Sequence, residues 1–133
     1  MKIKSLDLPK INDDRGNLSF LESNSHIPFK IRRVYWIYDV PGGEMRGGHA
    51  YKKLEEVIIA LSGSFELRCH PIDGEEQSFF LNRSYRGVYI PGNTWRELGS
   101  FSTNSVALIL ASMPYDVNDY IHDYDDFKSQ KLS

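Results

Sequence analysis

A histidine and a tyrosine two positions apart are the residues of this sequence best suited to acid–base chemistry. His49 and Tyr51 belong to the segment RGGHAY at positions 46–51. An imidazole, with an unperturbed pKa of about 6.5, can take and return protons near neutrality, whereas a phenol, with a pKa of about 10, donates a hydrogen bond or a proton. Because side chains two residues apart leave the same face of an extended strand, the two groups can share one pocket.

Arginines near this pair favour an anionic ligand. Arg46 lies just before the histidine, and a guanidinium stays charged and offers paired, planar donors. In the β-rich run 31–40, Arg33 and Tyr35 share one face of the expected strand and are further candidates for the pocket. An arginine within an otherwise apolar strand needs a partner, which a bound anion would supply.

The overall charge excludes the usual nucleic-acid-binding domain. The formal charge is -2, whereas such domains are strongly basic. Basic residues gather in the middle of the chain and acidic residues near its end. This asymmetry favours a small anionic molecule as the partner.

The elements that must position these groups are short strands. β-rich runs occupy 17–22, 31–40, 56–61, 64–70, 77–81, 87–90 and 105–111, without helical periodicity. Turn signals separate them, at Pro41-Gly42-Gly43, Ser62-Gly63-Ser64, Asp73-Gly74 and Pro91-Gly92-Asn93. The pattern predicts an all-β sandwich or barrel over about residues 1–113.

Near the end of the chain, the spacing of the apolar residues becomes helical. Val117, Tyr120, Ile121, Tyr124 and Phe127 follow steps of three and four residues, which place them on one face of a helix. We therefore predict a short amphipathic helix over about residues 115–129, packed against the barrel.

Length and cysteine usage limit the remaining possibilities. The 133 residues suffice for one domain with a buried core, and we expect a single domain over 1–133. The single cysteine, Cys69, cannot form an internal disulfide, and the first residues lack the apolar run of a signal peptide or membrane span. The expected location is the cytoplasm, without a membrane partner.

Two segments resemble the two sequence motifs of the cupins, which are jelly-roll barrels. In GGHAYKKLEEVIIALSG, the places of the motif's His-x-His pair, Glu and Gly are taken by His49, Tyr51, Glu56 and Gly63. The second segment, GVYIPGNTWREL, keeps Gly87, Pro91 and Gly92 and has Arg96 in the place of the motif's histidine. The resemblance implies a cupin jelly roll.

The same motifs argue against the usual cupin metal, which is held by three histidines and a glutamate. Tyr51 and Arg96 replace two of these histidines. A guanidinium cannot give up its proton to coordinate a cation. We therefore expect a reaction without a metal or other cofactor.

Over nearly its whole length the sequence is similar to the FdtA-type sugar 3,4-ketoisomerases, which are WxcM-like cupins. The resemblance is carried by DDRGNLSFLE, IPFKIRRVYWIYDVPGGEMRGGHAYKKLEEVIIALSGS, YIPGNTWREL and MPYDVNDYIHDYDDF. It implies a homodimer that moves the keto group of dTDP-4-keto-6-deoxyglucose from C4 to C3, for 3-amino-sugar and surface-glycan synthesis such as that of lipopolysaccharide. Strands near the N-terminus are expected to pair with the partner subunit.

The resemblance also implies roles for individual residues. His49 matches the family's first motif histidine and is the expected base, with Tyr51 as the partner of the substrate oxygen. Arg15, Arg33 and Arg46 are the expected anion binders. In the same pocket we expect Tyr35, Trp95, which can stack on the sugar or base, and Arg96, which can add positive charge.

Two other functions stay open. Nucleotide-sugar 3,5-epimerases, another metal-free cupin group, use a histidine base with a tyrosine acid and carry an Arg-Gly-x-His string like that of residues 46–49. Alternatively, the chain is a non-catalytic sugar-binding or regulatory cupin whose second and third histidines have been lost.

Overall fold

The structure, a computed structural model that describes residues 2–130, consists almost entirely of short strands. They are β1 (Lys4–Asp7), β2 (Lys10–Asp13), β3 (Gly16–Ser19), β4 (Arg33–Tyr38), β5 (Arg46–Tyr51), β6 (Glu56–Ser62), β7 (Phe65–Pro71), β8 (Gln77–Leu81), β9 (Arg86–Ile90), β10 (Thr94–Gly99), β11 (Val106–Ala111) and β12 (Tyr120–Ile121). A 3₁₀ turn (Val117–Asp119) precedes β12, and the helix α1 covers Tyr124–Ser129.

Two five-stranded antiparallel sheets form the body of the molecule. Their strand orders are β1-β9-β6-β11-β4 and β12-β5-β10-β7-β8, and β2 and β3 form a separate hairpin. The main core lies between the sheets, where Ile58 and Ile109 of one sheet pack with Leu67 of the other, all fully buried. The predicted all-β cupin jelly roll with a short C-terminal helix is confirmed.

Alternation of side chains explains why these segments form strands. In β7, Phe65, Leu67 and Cys69 point into the core and are fully buried, whereas Glu66 and Arg68 lie on the opposite, more exposed face. Burial raises the pKa of the Cys69 thiol to about 12, so this cysteine is an inert core residue.

A second core covers the outer face of the first sheet. Ile27 and Phe29, from the segment between β3 and β4, pack on Val57, Ile59 and Tyr89. Strand β1 pairs with β9 of the same chain, from Lys4 opposite Tyr89 to Asp7 opposite Arg86. One edge of β1 is therefore paired within the chain, and its other edge is the end of the sheet.

The C-terminal segment corrects the prediction of a helix over 115–129, because the helix is confined to Tyr124–Ser129. The buried Asp119 carboxylate accepts hydrogen bonds from the backbone N–H groups of Lys53, at 2.9 Å, and Leu54, at 3.0 Å. Strand β12 then pairs with β5, with Tyr120 opposite Tyr51. These bonds hold the segment extended along the sheet edge, so that the helix begins only after β12.

No helix within residues 2–130 combines the length and the apolar composition that crossing a membrane requires.

Replacing Gly63 by alanine should destabilise the fold. Gly63 has a φ of +67°, and an added Cβ would lie 2.8 Å from the Cα of Ser105. Strain and overpacking should lower the free energy of unfolding by about 2 kcal/mol in a urea titration. The matched control is Gly42→Ala, because that Cβ would meet nothing within 4 Å. Equal losses in the two variants would contradict the assigned contact.

Candidate active site

A cavity of about 340 Å³ lies where the edge of one sheet meets the edge of the other. Strand β4 supplies one wall and strand β5 the other, and β10 and β12 each contribute a side chain. The expected site residues that line this cavity are Tyr35, Arg46, His49, Tyr51 and Arg96.

His49 and Tyr51 face the same space because they alternate with Ala50 along β5. Their ring centroids are 4.7 Å apart, with the planes at 87°. The two groups that the spacing predicted to share one pocket are therefore neighbours. Arg46, at the start of the same strand, is exposed and also lines the cavity.

A buried ion pair lies beneath these rings. The guanidinium of Arg96 and the carboxylate of Glu56 are each only 1% exposed. Arg96 donates to Glu56 through Nη2, at 2.9 Å, and Nε, at 3.2 Å. The remaining bonds run from Nη1 to the carbonyl oxygen of Gly47, at 2.8 Å, and from Nη2 to the Tyr35 hydroxyl, at 3.0 Å. The pair thus fixes the side chain of Tyr35 and the backbone at Gly47, which both belong to the cavity wall.

Gly47 is required by this arrangement. Its φ is +72°, and a Cβ at this position would lie 2.2 Å from Nη1 of Arg96. Only glycine combines this conformation with room for the guanidinium.

These residues do not fit the metal ion that cupins ordinarily hold. Of the four motif ligands the chain keeps His49 and Glu56, and the carboxylate of Glu56 is already neutralised by the guanidinium of Arg96. Arginine offers donors only and cannot ligate a cation. Across residues 2–130, no group of three or more histidine, cysteine, aspartate or glutamate side chains is placed to hold one.

Three tyrosine hydroxyls form a chain along the cavity. The hydroxyls of Tyr35 and Tyr51 are 3.3 Å apart, and Tyr51 donates to the hydroxyl of Tyr120 at 3.1 Å. Burial, followed by the negative charge of Glu56, raises the pKa of Tyr35 and of Tyr51. Both phenols therefore keep their hydrogens at neutral pH.

His49 is a neutral imidazole in this site. Burial, followed in order by the positive charges of Arg96, His122 and Arg33, lowers the pKa of His49 to about 2. Its Nε2 is buried without a hydrogen-bond partner among residues 2–130. An unsatisfied nitrogen at a cavity wall is a contact that a ligand can complete.

Arg33 is not among the residues that line the cavity, but it also has unsatisfied polar atoms. Its Nε and Nη2 are buried and lack partners within the described part of the chain. The guanidinium lies 5.0 Å from the ring centroid of Tyr35 and 5.6 Å from that of Tyr115. Arg33 therefore presents free donors next to the tyrosine chain.

The structure corrects the expected position of Trp95. Because side chains alternate along β10, Trp95 leaves the face opposite to Arg96. It is 8% exposed, and its ring lies 5.3 Å from Tyr124 and 6.0 Å from Phe127. Trp95 therefore belongs to the core under α1 and does not line the cavity.

Arg15 also lies away from the cavity of its own chain. It occupies the turn between β2 and β3, where its side chain is 90% exposed and contacts Asp13 at 3.1 Å. Because the hairpin holds Arg15 at this position, its side chain does not line the cavity.

Sequence reasoning missed Tyr120, which it assigned to the apolar face of a helix. Its ring lies 5.1 Å from that of His49 and 4.6 Å from that of Tyr51. The available signal was the series Asp116, Asp119 and Asp123, in which Asp116 caps the 3₁₀ turn and Asp123 caps α1. Acidic residues at such short intervals favour turns over one continuous helix.

The fold and the cavity define a cupin in which an arginine–glutamate pair occupies the usual metal position beneath acid–base side chains. A family model described as FdtA, WxcM-like, C-terminal matches residues 1–132. The chain belongs to this family.

Named relatives agree with this assignment. The chain is 44% identical over 131 residues to a TDP-4-oxo-6-deoxy-alpha-D-glucose-3,4-oxoisomerase of Aneurinibacillus thermoaerophilus, covering 96% of this chain and 91% of the relative. A 3,4-ketoisomerase from Helicobacter canadensis superimposes with a TM-score of 0.94 at 41% identity, covering 100% of this chain and 99% of the other.

A third relative has a bound sugar nucleotide. It is a variant of the 3,4-ketoisomerase QdtA from Thermoanaerobacterium thermosaccharolyticum in complex with TDP-4-keto-6-deoxyglucose. The TM-score is 0.93 at 38% identity, covering 98% of this chain and 94% of the other.

The low pKa of His49 predicts a specific pH dependence of stability. Between the unfolded pKa of about 6.5 and the folded value of about 2, the unfolded chain binds one more proton, so the free energy of unfolding falls as the pH is lowered through this window. Urea titrations at pH 7 and pH 5 should show wild type losing about 1–2 kcal/mol more than His49→Asn. The same loss in both proteins would show that His49 is not buried in its neutral form.

Proposed function

We propose that this chain is a sugar-nucleotide 3,4-ketoisomerase acting on dTDP-4-keto-6-deoxyglucose without a metal. One observation carries the proposal: the buried His49 Nε2 has no partner and lies at the wall of a cavity lined by phenols and arginines. Family membership and the names of the relatives support the reaction class.

The reaction requires a base that gives its proton back. Moving the keto group from C4 to C3 removes the C3 proton, forms an enediol or enediolate, and adds a proton at C4. His49 takes the proton at C3 and returns it at C4. Because its imidazole is neutral, it has a lone pair available for the first step.

Substrate binding makes His49 a stronger base. A negative charge within about 4–6 Å favours the protonated form of an imidazole and raises its pKa. Both the diphosphate and the developing enediolate carry such charge. His49 therefore gains basicity when the substrate fills the cavity.

The neighbouring groups stabilise the negative charge of the substrate. Tyr51, a protonated phenol next to His49, belongs to the hydrogen-bond chain that serves the reacting oxygens, and Tyr35 links this chain to Arg96. Arg33, with its free buried donors, and Arg46, at the exposed rim, bind the diphosphate.

The product places the enzyme before an amination. A keto group at C3 is what an aminotransferase needs in order to make a 3-amino sugar, for use in surface glycans such as lipopolysaccharide. The buried, unpaired Cys69 is consistent with a cytoplasmic location.

Turnover in deuterated water tests the proposal. Wild type should convert dTDP-4-keto-6-deoxyglucose to the 3-keto sugar, detected by NMR, with deuterium at C4 to the extent that the proton held by His49 exchanges with the solvent before it is returned. His49→Asn should lose at least about 100-fold in kcat, because the base is gone. The control is His26→Asn, which should keep the wild-type rate because the ring lies outside the cavity, where it accepts a hydrogen bond from the Glu22 N–H and packs edge-on against Phe20.

Other outcomes of this experiment identify the alternatives. Deuterium at C3 or C5 of an unchanged 4-keto skeleton would mean epimerisation. No exchange at any carbon together with no 3-keto product would mean that the chain only binds the sugar nucleotide.

We propose further that the chain forms a homodimer through its exposed apolar side chains. The outer patch consists of Trp36, Tyr38, Leu61 and Leu108, of which the first three are 57%, 60% and 51% exposed. Within residues 2–130, strand β4 pairs only with β11 and leaves its other edge open.

The β2–β3 hairpin supports the same proposal. Its Ile11 and Leu18 are each 55% exposed, which favours a partner surface over solvent. Because Arg15 at the tip of this hairpin lies outside the cavity of its own chain, it can bind a diphosphate only in the cavity of the partner.

Light scattering tests the dimer. Wild type should have twice the mass of the chain, whereas Leu61→Glu should shift the protein to monomer by burying a charge in the interface. Phe80→Glu is the control, since this phenylalanine is 65% exposed on the edge strand of the other sheet and should stay dimeric. A monomeric wild type, or a dimeric Leu61→Glu variant, would contradict the proposed interface.

A further inference from the structure

The chain of phenol hydroxyls in the cavity has a direction. Arginine only donates, so Tyr35 accepts from Arg96 and keeps its own hydrogen to give. Tyr51 donates its single hydrogen to Tyr120, so the hydrogen shared between Tyr35 and Tyr51 must come from Tyr35. The chain therefore runs from Arg96 through two phenols to Tyr120, whose own hydrogen none of these groups uses.

Tyr120 holds this hydrogen beside the base. Its ring lies 5.1 Å from that of His49, and its side chain lines the cavity. The backbone is fixed by the pairing of Tyr120 with Tyr51 and by the bonds of Asp119 to the preceding loop. On its other side, the ring of Tyr120 stacks on that of His122 at 5.1 Å and 11°.

We propose that Tyr120 is a catalytic residue that moves the hydroxyl proton of the sugar between its two reacting oxygens. It gives its hydrogen to O4 and takes the hydrogen of O3, while His49 moves the carbon-bound proton. This inference rests on the proposed isomerase function.

The two proton transfers balance without an oxidant or reductant. When His49 removes the proton from C3, the C–H electron pair forms the C3–C4 double bond, and the π pair of the C4 carbonyl moves to O4, which takes the hydrogen of Tyr120. The Tyr120 oxygen then removes the hydrogen of O3 as the C3 carbonyl forms. In the same step, the electron pair of the C3–C4 double bond takes the proton back from His49 to form the C4–H bond.

The direction of the hydroxyl chain suits this role. Between the two steps, negative charge develops on the oxygen of Tyr120, which accepts the hydrogen bond of Tyr51. Two further donors in sequence, Tyr35 and Arg96, polarise that bond. The guanidinium of Arg33, whose charge acts on Tyr120, adds to the stabilisation.

The first test removes the hydroxyl and keeps the ring. Tyr120→Phe should lower kcat for the 3-keto product about 100-fold and change KM less than about threefold, because the substrate is still bound but its oxygens lack a proton carrier. The control is Tyr124→Phe, whose hydroxyl bonds His70 at 3.2 Å outside the cavity, and which should keep the wild-type kcat. A Tyr120→Phe variant with more than one tenth of the wild-type kcat would overturn the inference.

A second variant tests the acidity of the phenol without removing it. With 3-fluorotyrosine at position 120, the shape is kept and the phenol ionises at lower pH, so the alkaline limb of the kcat profile should shift to lower pH. An unshifted limb would overturn the inference even if Tyr120→Phe does not fold. The charged and titratable groups that face Tyr120 are Arg33, Tyr35, Tyr51, His49, Tyr115 and His122, and all are unchanged in this variant.

The activity of the wild-type protein distinguishes a failure of this inference from a failure of the proposed isomerase function. A wild-type protein that forms no 3-keto product overturns the isomerase proposal, and the role of Tyr120 with it. A wild-type isomerase whose Tyr120→Phe variant turns over at the normal rate overturns the role of Tyr120 alone.

Discussion

The site is organised by one buried ion pair, between Arg96 and Glu56. Both side chains are removed from water, and a charge in that position is stable only when its partner and its hydrogen bonds are complete. Arg96 meets this condition by bonding Glu56, the Gly47 carbonyl and the Tyr35 hydroxyl. The geometry of the cavity wall is set by the hydrogen bonds that this buried guanidinium requires.

The same pair explains how a cupin barrel can perform acid–base chemistry. A guanidinium bonded to a carboxylate supplies a fixed positive charge where other cupins hold a metal, and it offers no open coordination position. Its field helps to keep His49 neutral and polarises the phenols above it. The side chains of the cavity, rather than a cation, are then left to move protons.

The sequence predicted the sheets well where alternation and turn residues were clear, as in β6, β7 and β11. The β-rich runs did not include β5 or β10, because glycines interrupt the first and charged or polar residues occupy much of the second. For β5, only the spacing of His49 and Tyr51 indicated an extended strand. His49 and Tyr51 could be paired from their spacing alone. The positions of three other residues could not be predicted in this way. That of Trp95 depends on which face of β10 points inward, and that of Arg15 on a hairpin that projects from the barrel. That of Tyr120 depends on side chain-to-backbone hydrogen bonds between distant segments.

The most direct test of the organising role of the ion pair is the free energy of unfolding of Glu56→Gln, measured beside Glu66→Gln. The isosteric amide leaves Arg96 charged and buried without its counter-ion, so the first variant should lose about 3–5 kcal/mol. Glu66 pairs with Arg68 at 3.4 Å on the surface, with 41% of its side chain exposed, and its variant should lose less than about 1 kcal/mol. Losses below about 1 kcal/mol in both variants would contradict the account.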